Sequence, residues 1–232
     1  MAVADNYWLG GTTDHENAWA TDTNWSLGAK PVVDNTVIID RDAAYSIDGY
    51  DATGALFPAL IQEEGSTVSL GSDSAPLLFD ATITALAGSG VASIGGSPGT
   101  MNLAGAGSIW VRVGATHAAV TISGSPEVVL RSAVTTLIQT GGILTFGDVG
   151  FSSVALTTAT LSVAARLIYN TTGTLGTLNL KDGGTLDGSG DPRAAIISNL
   201  NLYRGGTFID PAARFTLTND VVLQEGATLT AE

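Results

Sequence analysis

The chain contains no cysteine, so neither a disulfide framework nor a thiolate metal site is open to it. Histidine is nearly absent. His15 and His117 are the only two, and neither has neighbours at a metal-ligand or triad spacing. Charge is scarce as well: 13% of the 232 residues are charged, against about 25% in an average soluble domain. Basic residues are the rarer kind, with 9 Lys and Arg facing 22 Asp and Glu, for a net charge of −13. Nucleic-acid binding needs a basic stripe, so DNA and RNA are not expected partners. No apolar run approaches the ~18 residues of a membrane span, and no membrane partner is expected. The N-terminus, MAVADNYWLGG, lacks the basic and apolar regions of a signal peptide,. That points to a chain kept in the cytosol, or assembled there into a particle that later leaves. GxSxG, HExxH and GxxxxGK are all missing, which removes the commonest nucleophile, zinc and phosphate signatures.

What remains is apolar, glycine-rich and punctuated. Hydrophobic residues make up 44% and glycine 29 positions, a mixture that suits many short strands with frequent bends and does not suit disorder. A glycine-centred unit recurs: LNLKDGGTL at 178–186, LNLYRGGTF at 200–208 and VVLQEGATL at 221–229. Gly183, Gly205 and Gly226 are 22 and 21 residues apart (205 − 183 and 226 − 205). Two such steps upstream of Gly183 lies Gly141, in TLIQTGGIL at 136–144, and EGSTV at 64–68 is a more distant copy whose preceding apolar residues fall out of register. Each copy reads as two half-buried strand edges around a tight bend. A fixed period in this range marks a repeat architecture.

The expected fold is all-β: a parallel β-solenoid (β-helix) over residues 55–232, preceded by a small acidic, Trp-containing N-terminal β cap module over residues 1–54. At about 21 residues a coil and about 4.8 Å a step, residues 55–232 make roughly eight coils. The columns expected to stack inward are Leu144, Leu186, Phe208 and Leu229 on one side of the bend, and Ile138, Leu180, Leu202 and Leu223 on the other. Asp182, Arg204 and Glu225 form a charge-alternating column just before the glycine, a solvated ladder. Strands are expected at 36–40 and 44–48 in the cap, then at 66–70, 77–83, 109–113, 119–123 and 127–131. An antiparallel sandwich or jelly roll is the alternative.

Few residues offer chemistry. Asp187 and Asp191 share a Gly-rich bend, DGSGD, with Asp210 about a coil later. As carboxylates they fit a glycan-cleaving pair or a Ca²⁺ loop, but Asp, Gly and a following Pro also spell a plain turn. Asp34, Asp40, Asp42 and Asp48 could gather a cation, with a solvated acidic face as the default. Trp8, Trp19 and Trp25 read either as a sugar-stacking platform or, more simply, as the core of a small module. No catalytic, cofactor-binding or metal residue is assigned, no cofactor is implied, and the protein is not read as an enzyme. Acidity is concentrated: residues 1–80 hold 13 acids and 2 bases, and residues 81–232 hold 9 and 7. That front favours a basic partner.

The opening YWLGG at 7–11, then AWATDTNWSLGAKP at 18–31 and DNTVIID at 34–40, resembles a pattern that leads into β-solenoids in bacterial autotransporter-like passengers and phage β-helical virion proteins. The resemblance implies the architecture and carries no catalytic residue. Together with the cytosolic features it is similar to phage head decoration (cement) proteins. The expected function is therefore a non-enzymatic virion protein that stabilises a phage head. It would contact the major capsid protein, form a homotrimer and assemble in the host cytoplasm. A glycan-binding or glycan-cleaving tail protein and a secreted adhesin fragment are the alternatives.

Overall fold

The computed structural model describes residues 4–72, 74–112, 116–148 and 153–231. The chain is all-β, 1% helical, and its strands pair in parallel as the stacked coils of a β-solenoid of about nine turns. It divides into two compact units, Met1–Ala115 and Thr116–Glu232.

The first unit contains β1 (Ala4–Tyr7), β2 (Asn35–Ile39), β3 (Asp51–Gln62), β4 (Leu77–Leu86), β5 (Ala92–Ser97), β6 (Thr100–Leu103) and β7 (Ser108–Val111). Parallel pairing runs from β1 to β2 to β3 to β4, then from β4 to both β5 and β6 and from β5 to β7. Residue 54 lies inside β3. The segment 44–48, expected as a strand, is not one: Ile47 alone makes an isolated bridge, to Leu70. Its geometry is set by the Trp8 indole, which donates to the Tyr45 carbonyl at 2.7 Å and occupies an acceptor a ladder would need. The segment 66–70 likewise contributes only the bridges of Leu70.

In the second unit each full coil carries two strands joined by a bend. The paired strands are β8 (His117–Ile122) with β9 (Glu127–Leu130), β10 (Val134–Gln139) with β11 (Ile143–Gly147), and β12 (Leu156–Leu161) with β13 (Arg166–Asn170). Then follow β14 (Thr174–Leu180) with β15 (Thr185–Asp187), β16 (Ala195–Leu202) with β17 (Thr207–Asp210), and finally β18 (Phe215–Leu217), β19 (Val221–Leu223) and β20 (Thr228–Ala231). The predicted column Leu186–Phe208–Leu229 stacks as adjacent residues of β15, β17 and β20, but on the last coil Leu229, like Leu223 of the other column, is half exposed and not buried as expected. Leu144 belongs to the same column, with Leu167 between it and Leu186. Leu144, Leu167 and Leu186 are fully buried, and each contributes roughly 1.5–3 kcal/mol relative to exposure.

Two departures from the expected register have physical causes. First, the coil implied by the two-step spacing from Gly141 to Gly183 adds Leu167 to the Leu144–Leu186 column and has no glycine at its bend. Its bend is Val163-Ala164, both in the left-handed region at φ 53° and 38°, where the next coil has Asp182 and Gly183 at 49° and 92°. Second, Ile138 is not in the Leu180 column. That column runs Gln139, Leu161, Leu180, Leu202, Leu223, and Ile138 faces outward, 44% exposed. The bend after Gln139 is one residue shorter than its neighbours (139 to 144, against 161 to 167), and a one-residue slip turns a side chain to the other face. Buried Gln139 spends its amide on the bend itself, donating to the carbonyls of Gly141, Gly142 and Arg166 at 3.0–3.2 Å. Gln62 stands three residues before the positive-φ Gly65, as Gln139 does before the positive-φ Gly142, and donates to the Val68 carbonyl. EGSTV is thus in register after all, with a glutamine where a leucine was sought.

The repeated Gly-Gly pair has two separate causes. Gly183 supplies positive φ; a side chain at Gly184 would come within 2.3 Å of the Leu161 carbonyl on the coil before. The bends stack through their peptides, Asp182 N–H donating to the Arg204 carbonyl and Gly183 N–H to that of Gly205, both at 3.0 Å.

Two measurements check this register. Leu186→Asp places a carboxylate between Leu167 and Phe208 and should cost about 3 kcal/mol or more. Asp182→Asn, which keeps a residue tolerant of left-handed backbone, should change stability by less than about 1 kcal/mol. Equal melting shifts for the two would refute the column. At the coil whose bend lacks glycine the sign reverses: Val163→Asn with Ala164→Gly relieves left-handed strain and should raise stability by about 1 kcal/mol, read from the denaturation midpoint.

Candidate functional site

The densest grouping of chemically able side chains is built on the bend after β15 and the loop after β17. Asp187 closes β15, and both it and Asp191 are nearly fully buried. Asp187 Oδ2 accepts from Arg166 Nε at 3.2 Å and Nη2 at 2.5 Å, while Oδ1 accepts from Ser189 N–H and Oγ at 2.9 and 2.6 Å. Asp191 accepts from the backbone N–H, Nε and Nη2 of Arg193 at 2.6–3.0 Å. Asp210 accepts from the backbone N–H groups of Arg214 and Phe215. In the ladder Asp187 stacks on Ile209, not on Asp210. The three acids therefore occupy neighbouring but separate hydrogen-bond sets, and no open carboxylate pair results.

Arg214 ties the grouping together. Buried to 4% exposure, its guanidinium donates to the carbonyls of Tyr169, Thr171 and Arg193 and lies 4.8 Å over the Phe215 ring. Burial pulls Arg214 below its ordinary value, opposed by Asp191 and Asp210; an arginine stays charged throughout the physiological range all the same. Burial works against ionising Asp187, yet the hydrogen bonds from Ser189 and Arg166 outweigh it and hold the carboxyl below its ordinary value. For Asp191 the hydrogen bonds from Arg193 dominate, with the same result. A general acid for glycan cleavage needs a raised value, and a Ca²⁺ loop needs oxygens to spare. Here the oxygens are already committed to arginines and backbone.

The tryptophans resolve to the simpler of their two readings. Trp8, Trp19 and Trp25 are 1–3% exposed. They pack edge to face, Trp8 on Trp25 at 4.9 Å and Trp19 on Trp25 at 4.8 Å. The Trp25 indole donates to the Trp19 carbonyl. No ring face is open for a sugar. Asn24, just before Trp25, holds the loop around this core, donating to the carbonyls of His15 and Ala18 and accepting from Thr12 N–H at 3.0 Å. Ser26 Oγ accepts from Tyr7 N–H. The Asn-Trp-Ser step is thus a structural knot.

Asp34, Asp40, Asp42 and Asp48 do not gather. Asp40 accepts from Asp42 N–H in a local turn, and Asp34, Asp42 and Asp48 face solvent. Among the described residues no group of three or more His, Cys, Asp and Glu is placed to hold a metal ion. His15 is exposed in the first unit and His117 buried in the second. Arg166, Arg193 and Arg214 were not singled out from the sequence, although the coil period carried a signal for them: Arg166 precedes Asp187 by 21 residues, and Arg193 precedes Arg214 by 21. Comparisons with family models, curated proteins and solved structures return no match to this chain.

The acids predict an acid-labile unit. A carboxyl held below its unfolded value stabilises the fold above that value, and this stabilisation is lost as pH falls through the folded one. Asp187 and Asp191 both start from 3.8, so the loss falls below about pH 4. Melting temperature should drop on acidification through that range, and the drop should be shallower in Asp187→Asn and Asp191→Asn. An unchanged slope in both variants would assign the acid sensitivity elsewhere.

Proposed function

We propose that this chain is a non-enzymatic structural protein of a virion, one that binds a phage capsid and stabilises it. The observation that carries this reading is the fate of the candidate reactive groups. Asp187 and Asp191, the best acids for glycan chemistry, are spent on Arg166, Arg193 and Ser189, and the tryptophans are spent on a core. What the chain presents instead, in each of its two units, is short parallel coils in regular register, a scaffold of the kind that suits holding other subunits in place. The concentration of 13 acids against 2 bases in residues 1–80 supports contact with a basic or cation-bearing surface, the major capsid protein being the partner.

Undecorated capsids mixed with the purified chain should bind it saturably and gain resistance to heat and to low salt. Binding should weaken as salt rises, because screening acts on exposed charge over about 8–10 Å. Absence of binding, together with turnover of a bacterial polysaccharide, would replace this reading with that of a tail enzyme.

A further inference from the structure

Beside the tryptophan core of the first unit lies a concavity of about 370 Å³ whose lining includes Tyr7, Trp8, Leu9, Asp40, Asp42 and Ala44. Two segments build it because two parallel strands end together. β1 pairs with β2 as far as Tyr7 on Ile38, and the Trp8 N–H donates to the Ile38 carbonyl at 2.9 Å. The stretch leaving β1 and the turn leaving β2 therefore start side by side. That turn is held at its near end by Asp40, whose carboxylate accepts from the Asp42 N–H at 3.0 Å. Its far end is held by the Trp8 indole on the Tyr45 carbonyl. Tyr45 in turn lies against Gly10, where an added Cβ would come within 2.6 Å of it. The concavity is formed before any ligand arrives, which spares a ligand the cost of ordering it.

Its lining is of two kinds. Trp8 is buried, Tyr7 is half-buried and Leu9 is 51% exposed. With these apolar groups stand two carboxylates that have oxygens to spare. The second oxygen of Asp40 and both of Asp42 have no hydrogen-bond or ion-pair partner among the described residues. No base lines the concavity. Arg41, between the two acids in sequence, is paired with Glu63 at 3.8 Å, and Lys30, the other base of residues 1–80, is not among the lining residues.

We propose that this concavity receives an arginine side chain of a partner protein. Charge complementarity selects a cation, and the apolar lining selects which one. A hard metal ion asks for about six or more oxygens, and among the described residues no group of three or more His, Cys, Asp and Glu is placed to supply them. A lysine ammonium is a compact, strongly hydrated charge. A guanidinium is planar, weakly hydrated and stacks on aromatic rings while its fork reaches two acceptors. The aliphatic stem of an arginine matches Leu9 and Ala44. The inference deepens the capsid reading by naming what the acidic front would grip, and it rests on that reading only for the identity of the partner.

The probes are N-acetyl-arginine amide, its lysine counterpart and its neutral isostere N-acetyl-citrulline amide, titrated into the isotopically labelled full chain and followed by NMR. The arginine amide should shift the backbone signals of Leu9 and Ala44 saturably, with a Kd on the order of millimolar, and binding should weaken as salt rises. The lysine amide should bind about threefold more weakly or worse, and the citrulline amide should not bind. Asp40→Asn, which keeps an acceptor for the Asp42 N–H, and Asp42→Asn should each weaken the arginine amide by about threefold or more. Glu64→Gln, which removes an exposed charge elsewhere in the same unit, should leave its affinity unchanged. Circular dichroism establishes that each variant keeps its solenoid. A flat titration, lysine or citrulline bound as tightly as arginine, or Glu64→Gln weakening binding as much as either Asp variant overturns the proposal. The two readings fail separately. A chain that takes the arginine amide at Leu9 and Ala44 but leaves capsids bare keeps the site and loses the capsid. Capsids bound equally by wild type and Asp42→Asn, with a flat titration, remove the site and leave the capsid reading intact.

Discussion

Every inward side chain of a parallel coil sees, above and below it, the side chain one coil away at about 4.8 Å. This vertical contact is what the rest of the molecule depends on. Leu144, Leu167, Leu186 and Phe208 fill one column, and the choice at each position is constrained by two neighbours roughly twenty residues distant in sequence. The contact also dictates the bends. Once β14 and β15 are held in register with the coil before, the chain between them must reverse direction over a few residues close against the Leu161 carbonyl, which is why Gly184 has no room for a side chain. The repeat in the sequence is thus the trace of a distance constraint repeated at each step.

The same constraint explains which parts of the fold were legible. Where glycine and leucine both mark the coil, as at 178–186 and 200–208, period and inward residues could be read together. Where one mark is missing, the reading failed in a specific way. The coil at Val163-Ala164 lacks glycine, and strand geometry forces two ordinary residues into left-handed backbone, something no local propensity announces. At Gln139 and Gln62 the apolar mark is missing because a buried amide serves the bend's carbonyls; a polar residue in an inward column looks like a slipped register. Those glutamines act as the bend's internal caps, a role visible only once the strands on either side are in place.

The candidate site was legible in its residues but not in its role. DGSGD correctly marked Asp187 and Asp191 as unusual, and both are buried acids. What decides their chemistry is the set of arginines one coil or two residues away. Burial alone would raise a carboxyl and move it toward acid catalysis; hydrogen bonds from Arg166, Ser189 and Arg193 reverse that outcome. Breaking such a buried set is far costlier than its net contribution to stability, so these acids and arginines are held as a group. Arg214 shows the group's purpose. From the loop between β17 and β18 it closes three carbonyls of earlier coils, those of Tyr169 in β13, Thr171 just after it and Arg193 before β16, a task no single neutral side chain has the donors to perform.

A solenoid has more outward positions than its stability requires, and outward residues are the ones free to answer to something outside the chain. In the second unit they answer differently on the two ladders. One ladder carries outward charge at Glu127 and Arg166, the latter spent on the buried Asp187. The other is ruled by threonine and asparagine, with asparagine amides bonded from coil to coil. Solubility alone would favour charge on both, and Lys181, next along the chain from β14, is the charge that borders this one. Hydrogen bonds between side chains one coil apart order this outward surface with almost no charge, in a chain with a net charge of −13.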